Sequence, residues 1–219
     1  MNRSEVRTQI NAIGIVPCAR VKLAEQAQFG AETLYAAGIP IVEITLTLPE
    51  APQMIEDLAT RYPDMVVGAG TVLDEESARR CIDAGARFIT SPGLIPEVVA
   101  CAHAAEVVVF PGVLTPSEAI AGWKSGADFV KIYPAAMMGG IHYVRALKLP
   151  LPQIPLIVTG GVNQQTAFDY ILAGASAIGV GAELLPREAL LHHQDDRIHE
   201  LARRFLAMVQ EARIQPESI

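Results

Sequence analysis

Cysteine is scarce in this chain and badly spaced for a framework role. Cys18, Cys81 and Cys101 are odd in number and form no CxxC pair, which argues against a structural zinc site or a disulfide scaffold and points to a reducing cytoplasm. Cys101 and His103 are close neighbours in a helical stretch, but no further ligand pattern accompanies them and no metal site is expected. Aromatic residues make up only 5% of the chain. Positive charge is in the minority: 17 Lys and Arg stand against 24 Asp and Glu, a net charge of −7. A nucleic-acid partner needs a basic surface that this balance does not supply. A small anionic substrate needs only a local positive site. No apolar run of about 18 residues or more marks a membrane span, and Met1–Gln9, with Arg3, Glu5 and Arg7, does not read as a signal peptide.

What is present is aliphatic. Hydrophobic residues account for 51% and charged residues for 19% of 219 positions, a mix suited to parallel strands buried beneath helices. Short apolar runs read as strands at Ile13–Cys18, Ile41–Leu46, Met65–Ala69, Arg87–Thr90, Val107–Phe110, Asp128–Ile132, Leu156–Val158 and Ala177–Val180. Helical stretches separate them: Leu23–Ala37, a helix opened by Pro49, one capped by Asp74, Pro96–Ala105, one opened by a Thr115–Glu118 capping box, one from Gly139–Gly140 through Leu147, and Gln164–Leu172. A long amphipathic helix, Asp195–Arg213, closes the chain, with Ile198, Leu201, Phe205, Met208 and Val209 on one face. Regular alternation without a linker predicts an α/β fold, a (β/α)8 TIM barrel. A single domain would span 1–219, with the helix at 195–213 packed on it. A doubly wound open sheet is the alternative; the lack of a GxGxxG fingerprint after the first strand disfavours it.

Two charged residues sit inside apolar runs. Lys131 lies in Asp128–Phe129–Val130–Lys131–Ile132–Tyr133–Pro134. Lysine is seldom buried without a partner. Burial penalises an ammonium, and a free amine is a nucleophile that forms a Schiff base with a ketone. A lysine that snorkels to solvent or pairs with an acid would look the same. Glu43 is flanked by Ile41, Val42, Ile44 and Leu46. In a barrel both faces of a strand are covered, so this carboxylate is either a proton shuttle or a neutralising partner of Lys131 or Arg20.

The remaining polar candidates also fall at strand ends, the catalytic side of this fold. Arg20 follows strand 1 and could hold a phosphate or carboxylate, or could simply be a surface arginine. Thr71 follows strand 3 and could bond a carboxylate, or serve as a turn residue. Pro92 and Thr159 occupy equivalent loops, and Tyr133 reads as a pocket wall rather than a catalytic acid. Gly160, Gly161 and the Gly179–Gly181 pair read as close-approach backbone for a phosphate.

Taken together, Val42–Glu43–Ile44–Thr45–Leu46, Gly68–Ala69–Gly70–Thr71–Val72, Ser91–Pro92–Gly93, Val130–Lys131–Ile132–Tyr133–Pro134–Ala135 and Thr159–Gly160–Gly161–Val162 resemble the 2-keto-3-deoxy-6-phosphogluconate aldolase family. That family includes 4-hydroxy-2-oxoglutarate and 2-keto-3-deoxy-6-phosphogalactonate aldolases, and the likeness covers Ile13 to Leu184. The resemblance implies a class I aldolase acting on a small keto-acid, without metal or cofactor, usually as a homotrimer. It implies Lys131 as the Schiff-base lysine, Glu43 as general acid/base, Thr71 on the pyruvate carboxylate, Gly160 and Gly161 in the phosphate loop, and Arg20 near the substrate anion. Thr47 stands where many members carry a carboxylate-binding arginine, and Ala182 where some carry a phosphate-binding serine. Two readings from other classes remain at this stage: a sugar-phosphate isomerase or epimerase, and a non-catalytic sugar-acid sensor.

Overall fold

In the computed structural model, which describes residues 1–215, eight parallel strands close into a barrel in chain order. The strands are β1 Ile15–Ala19, β2 Ile41–Thr45, β3 Val66–Gly70, β4 Phe88–Ser91, β5 Val108–Val113, β6 Val130–Ile132, β7 Leu156–Thr159 and β8 Ala177–Val180. The helices are α1 Arg3–Ile13, α2 Ala24–Ala36, α3 Ala51–Arg61, α4 Glu75–Asp83, α5 Pro96–Ala104, α6 Pro116–Lys124, α7 Gly140–Lys148, α8 Ala167–Leu172, α9 Arg187–Leu191 and α10 Asp195–Ile214, with a 3-10 turn at Ala136–Met138. The expected domain range ran to 219; residues 216–219 lie outside the described residues.

Each strand is buried along most of its length, because helices cover its outer face and neighbouring strands its edges. Inside, Phe88 stacks on Phe110 with ring centroids 5.1 Å apart, and Phe129 meets Phe110 edge-on at 6.2 Å. Gly68 makes this possible, since a Cβ there would overlap the Phe88 ring. Helix starts follow local chemistry. Asp74 accepts from Ser77 N–H at 2.7 Å, and Thr115 and Glu118 form the expected reciprocal capping box.

Several boundaries differ from the sequence reading. Helix α1 was not expected; it is capped by an Asn2–Glu5 box and buries only Val6 and Ile10. Arg3 on α1 grips Asp128 through a 3.0 Å ion pair, and Val109 N–H donates to the same carboxylate at 2.9 Å. Asp128 therefore precedes β6 as an anchor between α1 and the sheet. Pro49 lies in a turn, and the proline in the first turn of α3 is Pro52. Strand β5 continues through Pro111 and Gly112, which were expected to follow it. Helices α8 and α10 pack together, and α10 also rests on α2, so α10 closes the outer ring.

Candidate active site

Strands β2 and β6 lie on opposite sides of the closed barrel, and their two charged side chains meet across its interior. Lys131 Nζ is 3.8 Å from Glu43 Oε2, with Lys131 7% and Glu43 4% exposed. Two charges this deep are tolerable only as a pair. Of the partners considered for Glu43, the structure selects Lys131. Arg20 turns instead to Thr71, donating to its hydroxyl at 3.4 Å.

The other oxygen of Glu43 has its own surroundings. Cys18 Sγ on β1 donates to Oε1 at 3.3 Å, and Cys18 and Glu43 are register partners. Burial, and then the negative Glu43, push the Cys18 thiol well above the ordinary range, so it remains S–H. Gly70 lies against the same oxygen: a Cβ at that position would overlap the carboxylate. Neither Cys18 nor Gly70 was expected in the site.

Thr71 has φ 60°, in the left-handed region. For a β-branched residue this is a rare conformation, with a cost of roughly 1–3 kcal/mol. It carries the hydroxyl to Arg20 at the barrel mouth. Tyr133 is 38% exposed, with its ring centroid 5.8 Å from Lys131 Nζ, beside the amine. Pro92 is exposed after β4, and Gly112 lets its backbone pass because a side chain there would overlap it.

Gly160 and Gly161 have φ of 88° and 87° and lie against Pro134 and Ala136 respectively. Their glycine identity is therefore already required by the chain's own packing. Thr159 pairs with Gly179, where a Cβ would come within 2.9 Å of the threonine side chain. Gly181 differs: a Cβ there would meet only the Cys18 carbonyl oxygen at 3.8 Å, an ordinary contact. It faces a cavity of about 530 Å³ at the β8–β1 edge. Cys18, Arg20, Lys22 and Arg187 line the same cavity, together with leucines such as Leu185 and Leu190. Lys22 and Arg187 give no signal in the sequence, where they resemble any solvated surface cations. Thr47 is exposed and shares a 2.6 Å hydrogen bond with the Thr45 hydroxyl. Among the described residues no group of three or more His, Cys, Asp or Glu side chains is arranged to hold a metal ion, and no helix is long and apolar enough to cross a membrane.

From β6 and β2 the (β/α)8 barrel brings a buried amine and a buried carboxylate together in its interior, a base beside a group able to hold a proton. The model for KDPG and KHG aldolases matches residues 6–201. The KHG/KDPG aldolase of Escherichia coli K12 is 35% identical over 190 residues, 86% of this chain and 89% of that protein. A probable 2-dehydro-3-deoxy-6-phosphogalactonate aldolase of Rhizobium meliloti is 34% identical over 164 residues, 73% of this chain and 76% of that one. The crystal structure of KDPG aldolase from Legionella pneumophila, with pyruvate captured as a covalent carbinolamine, superposes with a TM-score of 0.83 at 34% identity, covering 90% of this chain and 96% of that one. The chain belongs to the KDPG and KHG aldolase family and is a pyruvate-dependent aldolase, a lyase. The isomerase and sensor readings give way to that membership.

Proposed function

We propose that Lys131 carries the Schiff base and Glu43 moves the protons in reversible cleavage of 2-keto-3-deoxy-6-phosphogluconate to pyruvate and glyceraldehyde 3-phosphate. The observation that carries the reading is the sealed 3.8 Å pair of Lys131 and Glu43. A carboxylate beside the amine can accept its proton and return it to the leaving hydroxyl. The neutral amine adds to the C2 ketone. The carbinolamine then loses water with Glu43 as acid, giving an iminium. Glu43, now a carboxylate, takes the proton of the C4 hydroxyl, the C3–C4 bond breaks, and its electron pair enters the iminium to form an enamine. The aldehyde departs, Glu43 protonates C3, and hydrolysis frees pyruvate.

Thr71 and Arg20, joined at 3.4 Å, are suited to an acidic group of the substrate. The cavity beside Gly181 supplies positive charge from Arg20, Lys22 and Arg187 for a phosphate, which compensates for the hydroxyl absent at Ala182. Thr159, Gly160 and Gly161 offer loop backbone to the same end, and Pro92 and Tyr133 wall the keto-acid. The exposed apolar side chains of Met137 and Met138 offer a surface for the homotrimer that the family resemblance implies. Three unpaired cysteines fit a cytoplasmic protein.

Pyruvate release should be measured with 2-keto-3-deoxy-6-phosphogluconate, its phosphogalactonate epimer and 4-hydroxy-2-oxoglutarate. Fastest turnover of the phosphogluconate is expected. Equal kcat/KM for the phosphate-free substrate would remove the phosphate from the reading, and preference for the epimer would reassign the substrate.

A further inference from the structure

We infer that Cys18 is a positioning residue for the general acid/base: its thiol fixes Glu43 Oε1 so that Oε2 is presented to the imine on Lys131. The inference rests on the Schiff-base reading given above and adds a residue to it. Three observations meet at one oxygen. Cys18 Sγ lies 3.3 Å from Oε1, the two residues are register partners on adjacent strands, and the bare backbone of Gly70 leaves the space that Oε1 occupies. With one oxygen held by the thiol and closed in by Gly70, the carboxylate cannot rotate freely about its last bond. Oε2 is then the oxygen turned towards Nζ, at 3.8 Å. The direction of the bond is also settled, because burial and the neighbouring carboxylate keep Cys18 protonated and therefore a donor.

Chemically the thiol gains and loses nothing in the cycle. It holds an acceptor oxygen while the other oxygen removes a C3 proton from the pyruvate imine, giving the enamine, and later returns it. A loosened carboxylate would still let the amine condense with the ketone, but it would spend less time aligned with C3. Losing one hydrogen bond to a charged group corresponds to a slowing of roughly 10-fold or more.

The test separates the two events. Exchange of the pyruvate methyl protons in D2O, followed by NMR, reads proton transfer; borohydride trapping of pyruvate reads imine formation. Cys18→Val keeps the volume and removes the donor, and Cys18→Ser keeps a donor. The valine variant is expected to trap pyruvate as wild type does, with KM for pyruvate unchanged, yet to exchange about tenfold more slowly, and serine is expected to restore most of the rate. Wild-type exchange in Cys18→Val, or equal losses in both variants, overturns the role of Cys18 while leaving the Schiff base intact. Failure of wild type itself to trap pyruvate overturns the Schiff-base reading, and the inference with it.

Discussion

Glu43 Oε2 and Lys131 Nζ stand 3.8 Å apart in the barrel interior, brought there from strands on opposite sides of the sheet. Breaking this relationship should cost stability as well as activity. Lys131→Met leaves a buried carboxylate without its cation, and a loss of about 3 kcal/mol is expected. Adding Glu43→Gln should recover most of it. Urea unfolding of the two variants checks this; equal stability of single and double variants would mean that the charges do not sense each other.

Glu43→Gln alone keeps the shape of the side chain and removes its proton chemistry. kcat should fall by about 10²–10⁴ while the fold stays intact. Steady-state cleavage kinetics decide it, and unchanged kcat would take Glu43 out of the reaction.

Gly70→Ala puts a methyl where the Glu43 carboxylate lies. The side chain must move, so kcat should drop at least tenfold, with about 1–3 kcal/mol of destabilisation from overpacking. An alanine variant with wild-type kcat would show that the placement of Glu43 has slack.

Thr71 holds a left-handed backbone that glycine would adopt freely. Thr71→Gly should leave the melting temperature unchanged or slightly higher but raise KM about tenfold by deleting the hydroxyl beside Arg20. A KM at the wild-type value would reduce Thr71 to a turn residue.

Far from the site, Arg213 on α10 donates to the carbonyls of Asn11 at 2.5 Å, Ala12 at 2.6 Å and Ser176 at 3.0 Å. It satisfies carbonyls in the last turn of α1. Arg213→Met should destabilise by about 1–3 kcal/mol and leave kcat at 25 °C untouched, as chemical denaturation and an activity assay would reveal.

The barrel was legible because its eight apolar runs are separated by regular helical stretches, a pattern that survives errors of one or two residues at each boundary. Helix α1 was not, since Val6 and Ile10 form too thin a stripe to stand out among Arg3, Glu5 and Arg7. Strand β5 was cut short at Pro111, although proline is tolerable where a ladder needs no donor. Lys131 and Glu43 betray themselves as charges inside apolar runs. Cys18 gives no such signal: a thiol passes for a small apolar side chain, and only the β1–β2 register brings it to Glu43. Lys22 and Arg187 reach the cavity beside Gly181 through tertiary folding alone, from segments on either side of the β8–β1 closure.

Reduction with sodium borohydride in the presence of pyruvate, followed by peptide mass spectrometry, reads the covalent role of Lys131. The chain has four lysines, Lys22, Lys124, Lys131 and Lys148, so the modified position is unambiguous. A reduced pyruvyl adduct on Lys131 is predicted. Folded protein that gives no adduct, or carries it on another lysine, takes the Schiff base away from Lys131.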